Sequence, residues 1–417
     1  MTQNVLTASI IAKEALMILD NNLVMAKQVF RGYENEFDKK INGYEVGDTI
    51  SIRRPTDFTV RSGATMATQD VKEGKTTIQI NNLKGVDFKF TSQDLTLNIG
   101  ELGQRVIKPA MVQLANQIDL DCMALYAKVP QWVGTAGQVI NSFADYALGP
   151  QQLDEFAVPQ DGRSSVLSPA DYWGMLGSQT ALFMQKDAQD AYRRRNLGEI
   201  GGVDTYMAQN VPTLTTGTRT GGATPNVINA SITTSTTTYE SVKDTNTQVI
   251  SIGSMTGATD TVKAGEVFTI AGVYAVNPVT KAKLSFLKQF AVVSDATAVS
   301  NSIASLTITP AIIWTGAFQN ISTTLTDLNT AVVNFQGTAS TAYRQNMVFA
   351  KNAFALVSVP LVKPPGAVDV GRESYKGTSV RVIPVYDGIN DVSSWRLDVL
   401  YGVQAIDPRQ ATRLSGT

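Results

Sequence analysis

The 417-residue chain contains no histidine and a single cysteine, Cys122, and only 17% of its residues are charged. Without imidazole there is no Ser-His-Asp triad, no Cys-His dyad and no zinc site of the usual His/Cys kind. Lone Cys122 cannot form an internal disulfide, and with nothing nearby to lower its pKa it reads as a small buried hydrophobe rather than a reactive thiol. The 35 basic and 36 acidic residues leave a formal charge of -1. That balance argues against a surface that is one large phosphate-binding cation, while leaving room for a local basic patch. Long apolar runs are missing as well, since no stretch approaches the ~18 residues of a membrane span. The N-terminal run carries polar and acidic positions and no preceding basic region, which argues against a standard secretory signal. The expectation is a soluble chain made in the cytoplasm, with no membrane partner.

What is present is apolar: hydrophobic residues make up 43% of the chain. A large core can form under a mild, uncharged surface, which suits a protein covered by other copies of itself, or an extracellular β protein. The length predicts two or three domains.

Periodicity gives the organisation. Ile10, Leu16, Leu19, Leu23 and Val24 fall near helical spacing, with Thr7 or Ser9 as N-cap and Lys13, Glu14, Asp20 and Lys27 on the polar arc. From Thr49 to Phe90 the period becomes two: Ile50 and Ile52, then Phe58 and Val60, a polar stretch from Arg61 to Lys75, then Ile78, Ile80, Val86, Phe88 and Phe90. This predicts a long β-hairpin with a charged tip. An arm of about 15 to 20 residues reaches roughly 50 to 65 Å, and such a ribbon needs something to lie on, either its own chain or a neighbouring subunit.

Thr91, Ser92, Gln93 and Asp94 offer a capping box for a helix running to about Lys128, with Gly100, Gly103 and Pro109 as sites of a break or kink. Ser168 and Pro169 announce another helix. Arg193, Arg194 and Arg195 could take phosphate, but beside acidic residues they read as a salt-bridge site. After Pro212 the composition shifts to Thr, Ser, Gly and Asn, followed by short β runs. A β domain inserted between two halves of another domain is predicted, ending near Asn320 and followed by a helical stretch and a β-rich remainder.

Catalytic signatures fail one by one. Gly74, Lys75 and Thr76 look like the end of a phosphate-binding loop, but Gln69 stands where its first glycine belongs and a hairpin tip is the wrong context. Ser285 and Lys288 fit Ser-x-x-Lys without its companion motifs. Asp154/Glu155 and Asp119/Asp121 are the acidic pairs, yet two residues two apart on a helix do not face each other. No enzyme and no cofactor or metal site is implied.

Several stretches in chain order carry a resemblance: LTASIIAKEALMILDNNLVMAKQVFRGYENEF, LSPADYWGMLGSQTALF, AYRRRNLGEIGGVDTYMAQNVPTLTTGT, GEVFTIAGV, NMVFAKNAFALVSVP and WRLDVLYGVQAIDPRQATRL. Together they resemble the major capsid (coat) proteins of tailed bacteriophages, in the P22-type branch with an inserted domain. The resemblance implies an α+β, HK97-like capsid fold. Its parts would be an N-terminal arm at 1–44, an extended β-hairpin loop at 45–90, and a spine helix, peripheral domain and first part of the axial domain at 91–212. An inserted β-barrel at 213–320 and the remainder of the axial domain with the return to the peripheral domain at 321–417 would complete it.

It also implies self-assembly into pentamers and hexamers of an icosahedral head, helped by a scaffolding protein. A portal protein at one vertex, a decoration protein and non-specifically contacted double-stranded DNA complete the expected partners, in a virion assembled in the host cytoplasm. Arg53, Arg54, Arg61, Lys72, Glu73 and Lys75 are the candidates for contacts between subunits, and Glu14 and Asp20 for contact with the scaffold. The competing reading is a secreted or surface β-rich binding protein, S-layer-like, suggested by the Thr/Ser-rich insert.

Overall fold

The helix expected near the N-terminus spans Ala8–Asn22 in the computed structural model, which describes residues 8–33, 40–41, 44–45, 49–66, 68–91, 103–179, 197–220, 224–228, 232, 237–364, 366 and 370–417. The chain is α+β and divides into two compact units, Met1–Ser51 with Thr77–Met123 and Phe354–Gln404, and Ile52–Thr76 with Ala124–Ala353 and Ala405–Thr417.

In the first unit the N-terminal helix buries Ala8, Ile11, Ala12, Ala15, Leu16 and Leu19 against the helix Lys108–Met123 and the strands Gly371–Tyr375 and Thr378–Asp387. Small residues at 8, 12 and 15 let the helix sit close, and each buried Ile or Leu contributes ~1.5–3 kcal/mol. Leu16, Leu19 and Leu23 of the expected face are buried, but Ile10 is exposed and Ile11 is buried in its place. Ser9 is not the cap either, because it lies inside the helix and donates to Glu373 Oε1 at 2.9 Å. Of the expected capping box Thr91 is the last residue of the strand Asn82–Thr91, while Ser92, Gln93 and Asp94, like Thr7, fall outside the described residues. The predicted break does occur: a π-helical segment, Gly103–Ile107, leads into Lys108–Met123, and a 3-10 turn, Ala124–Lys128, ends the run where expected.

A five-stranded sheet carries this unit. The long strand Val392–Ala405 pairs with Thr378–Asp387 on one side and with Asn82–Thr91 on the other. The long hairpin from Thr49 to Phe90 is thereby corrected. Only Thr49–Arg53 and Lys75–Gln79 pair with each other, and residues 54–74 form no strand among those described. Alternation revealed Asn82–Thr91 as a strand but not its partner, which lies more than 300 residues away along the chain. Pro55, which has no N–H to donate, ends the pairing on the other side.

The second unit holds a six-stranded mixed sheet in the order Trp132–Val133, Ala411–Leu414, Asn346–Ala350, Arg163–Leu167, Val203–Met207, Glu199–Ile200. Its two central strands, Asn346–Ala350 and Arg163–Leu167, are buried along their whole length, although Arg163, Ser164 and Ser165 of the second are polar. The helices Phe143–Glu155 and Pro169–Gln179 bring Tyr146, Leu153, Tyr172 and Met175 into the same core as Val348 and Leu414. Pro169 is the first helical residue, as Ser168 and Pro169 announced.

The insert is joined to this sheet through a strand pair, Thr213–Thr215 with Ala342–Arg344. The insert ends there and not near Asn320. The stretch read as helical instead supplies the strands Ile321–Ser322 and Val333–Phe335, because Leu328 and Val333 point into the insert's core. Neighbouring strands run from Asn226–Val227 through Gln248–Gly253, Ile303–Thr309 and Lys283–Val292 to Val267–Val276, which also pairs with Val333–Phe335. Val332 then bridges back to Asn226, and Val227 N–H donates to Ala331 O at 2.9 Å, so the barrel closes. Gly272, at φ +79°, shifts the register of Val267–Val276 and lets that one strand serve both Val333–Phe335 and Ile321–Ser322. The threonines that open the insert hydrogen-bond locally: Thr216 Oγ1 donates to Thr338 O at 2.6 Å, and the Thr218 and Thr261 hydroxyls meet at 2.9 Å.

Candidate assembly surfaces

Residues 52–76 carry four large apolar side chains on their outer side: Val60 is 99% exposed, and Phe58, Met66 and Val71 are exposed with it. Leaving such groups in water forgoes the hydrophobic gain of burial, so a free apolar tip beside an anchored base has the make-up of a docking element. Sequence periodicity had Phe58 and Val60 continuing a strand; it did not single out this tip.

The charged candidates divide by position. Arg53 and Glu73 face each other across the stem at 3.0 Å, both largely exposed. Arg61 closes the tip on itself, donating to the carbonyls of Gly63 and, at 3.2 Å, Thr65. At the base, Lys72 approaches Glu240 at 3.8 Å, and the backbone N–H of Lys75 donates to Asp244 Oδ1 at 3.0 Å. Both acidic residues sit at the short helix Tyr239–Val242 of the insert and its end. The base of the hairpin is therefore tied to its own insert. Gly74 explains the false phosphate-loop signal: a Cβ there would lie 2.3 Å from Lys243 O.

Arg54 is turned inward. Its Nε donates to Thr76 Oγ1 at 2.6 Å, and burial lowers its pKa, while Asp407 works in the opposite direction. Exposed pairs such as Arg53–Glu73 contribute only ~0–1 kcal/mol each, so Arg53, Glu73 and Lys75 can exchange partners at little cost.

On the N-terminal helix, Glu14 is half-buried, whereas Asp20 is only 8% exposed and lies 4.0 Å from Lys376 Nζ. Asp20 thus does not sit on the polar arc. Ile10, Lys13, Met17 and Asn21 form the helix's open side. The arginines at 193–195 fall outside the described residues.

The acidic pairs do structural work in separate places. Asp119 accepts from Val24 N–H at 2.7 Å and Ala26 N–H at 2.9 Å, capping the turn Met25–Gln28, while Asp121 accepts from Tyr401. Burial lifts Asp119 to about 6 against the pull of those two N–H groups. Asp154 pairs with Arg163 at 2.7 Å. Ser285 and Lys288, three apart on a strand, point to opposite faces, which removes the Ser-x-x-Lys geometry. Cys122 is buried, and burial followed by the nearby Asp119 pushes its thiol pKa well up.

One fully buried residue of the second unit gave no sequence signal. Arg413 is fully buried without a carboxylate, donating to Gly265 O and Val129 O at 2.6 Å each, with its guanidinium 5.2 Å from the Tyr126 ring. Burial lowers its pKa to about 9. It links the C-terminal strand to the start of the insert's barrel. Among the described residues no group of acidic or cysteine side chains could hold a metal, and no helix is long and apolar enough to cross a membrane.

No curated protein matches the chain. Similar solved structures include one titled Mycobacterium phage Che8, with 13% identity, TM-score 0.49 and coverage of 94% of this chain and 90% of that one. The capsid of cyanophage P-SCSP1u has 11% identity, TM-score 0.41 and coverage of 89% and 84%, and that of Ralstonia phage GP4 has 8% identity, TM-score 0.42 and coverage of 89% and 85%. The match that decides the matter spans residues 1–416 and is to the family described as P22 coat protein, gene protein 5. It places the chain among structural coat proteins rather than enzymes and does not favour the secreted or envelope alternative. The chain belongs to the P22 coat protein family.

Proposed function

We propose that this coat protein builds an icosahedral phage head as pentamers and hexamers, through a scaffold-assisted procapsid that matures as DNA is packaged. The match to the coat protein family across residues 1–416 carries this reading. The apolar hairpin tip supports it, since a base anchored to its own insert leaves the tip free to cover a neighbouring copy. Many weak contacts made at once give a shell that corrects errors while it forms and is stable when closed. Arg53, Glu73 and Lys75 are the charged contacts, and Glu14 with the open side of the N-terminal helix is the surface offered to the scaffold. A portal protein takes one vertex, and a near-neutral lining holds the genome loosely. Assembly takes place in the host cytoplasm. Electron microscopy after co-expression with the scaffold should show closed particles of uniform size; monomers or amorphous aggregate alone would overturn the reading.

A further inference from the structure

Within the second unit, the base of the hairpin, the insert and the turn Pro408–Gln410 line a partly open cavity of about 80 Å³. Three cationic side chains line it, Arg54, Lys288 and Arg409, against one carboxylate, Asp407. That carboxylate is committed to Arg409, which donates to both its oxygens at 2.9 and 3.0 Å and reaches Asp57 at 3.3 Å as well.

Lys288 is left over. It is only 5% exposed, its Nζ lies 4.9 Å from the Phe156 ring, and the one charge acting strongly on it is the repelling guanidinium of Arg409. Burial, then Arg409, lowers its pKa to about 8, so it still carries its charge at neutral pH. A second ammonium stands in the same field: Lys281 Nζ is buried without a hydrogen-bond partner, between the influences of Asp57 and Arg409. Holding buried cations without a counter-charge is costly, and a fold that buries Lys288 in the field of Arg409 concentrates that cost in one spot. The rest of the wall mixes apolar groups, among them the stacked rings of Tyr239 and Phe318 at 3.4 Å, with the polar side chains of Gln131, Asn246, Thr309 and Asn320. Burial strengthens a charge interaction inside.

We propose that this cavity binds a small oxyanion, a phosphate or a carboxylate, held by Lys288, Arg54 and Arg409. Guanidinium groups match the paired oxygens of such anions, and Lys288 supplies the point charge. The space takes several waters or a group of a few heavy atoms.

The test is a thermal melt of the purified subunit with inorganic phosphate titrated against sodium chloride at constant ionic strength. A ligand that binds only the folded state raises the midpoint saturably. Wild type should show that rise. Lys288→Met should melt higher than wild type without phosphate, because an unpaired buried charge is gone, and should lose the phosphate response. Arg54→Gln, which removes one donor group, should need at least tenfold more phosphate for the same rise.

No phosphate-specific rise in wild type, or a full response in folded Lys288→Met and Arg54→Gln, overturns the proposal. The same titration on assembled particles separates the sources. A rise equal to the subunit's identifies a free anion; a responding subunit with unresponsive particles identifies a carboxylate of a second copy seated in the cavity. The subunit measurement stands whether or not the protein forms shells.

Discussion

The insert and the hairpin use apolar side chains in opposite ways. In the insert, Phe268, Phe290, Ile250, Leu306 and their neighbours are fully buried inside a barrel whose strands close on one another. In the hairpin, Ile52 and Ile78 are covered at the stem, while Phe58, Val60, Met66 and Val71 face outward. The barrel completes its own core and satisfies its own backbone. The hairpin has too few residues to do either, so its apolar surface gains burial only from something outside the subunit. The barrel's burial stabilises the monomer; under the function proposed above, the hairpin's apolar tip would stabilise the assembly.

The sharpest way to break this contrast is to damage both and compare. Phe290→Ala, which empties a site beside Phe268 at a ring separation of 5.8 Å, should cost the subunit ~3–5 kcal/mol in urea unfolding. A hairpin substitution costing the subunit as much would dissolve the distinction.

Acidity offers the next test, through two carboxylates of opposite sign. Asp119 in the first unit is raised by burial from 3.8 to about 6. Folding therefore takes up a proton there: the group contributes nothing below about pH 4, and stability falls as pH rises from 4 through 6, by about 3 kcal/mol in all. Asp260 in the insert is raised by burial too, but N–H groups of Gly257 and Thr220 outweigh this and hold it below the usual range. Its contribution is present above about pH 4 and lost below it. Moving from pH 7 to 5 should slow amide exchange in Ala8–Asn22 and Lys108–Met123, after correction for the intrinsic rate, and leave the barrel unchanged. An equal response in both regions would show that the two carboxylates do not differ as described.

A smaller effect is expected at the base of the hairpin. Gly74→Ala forces a methyl against Lys243 O, should cost ~1–3 kcal/mol, and should expose the hairpin to proteolysis; unchanged cleavage would mean the base is not anchored there. Smallest for the subunit is Val60→Ser, within ~0.5 kcal/mol in urea unfolding. Its effect should appear in assembly, as particles that fail to form or dissociate early, and normal particles would remove the tip from the inter-subunit contact.

The two regions were not equally legible. Alternation and the Thr-rich shift after Pro212 were enough to locate the insert, because a barrel strand shows its half-buried pattern locally. Its far boundary was missed because Leu328 and Val333 are recruited by a core formed elsewhere in the chain. The hairpin charges were visible as candidates, yet which of them faces outward was not: Arg53 and Arg54 are adjacent in sequence, one paired in solvent with Glu73 and the other turned toward Thr76.

The amino-acid sequence by itself determined which chemistry is absent and where several of the helices and strands lie, such as Ala8–Asn22, the helix opening at Pro169 and Asn82–Thr91. Missing imidazole removes whole mechanisms in any fold, and periods of two and near four are properties of the local chain. Only the tertiary structure decided partners: Val392–Tyr401 for Asn82–Thr91, Val24 and Ala26 for Asp119, three carbonyl groups and aromatic faces for Arg413, and a cavity for Lys288. Burial and charge balance depend on residues tens to hundreds of positions away. A lysine within the strand Lys283–Val292 gives no warning that it will be buried in the field of Arg409.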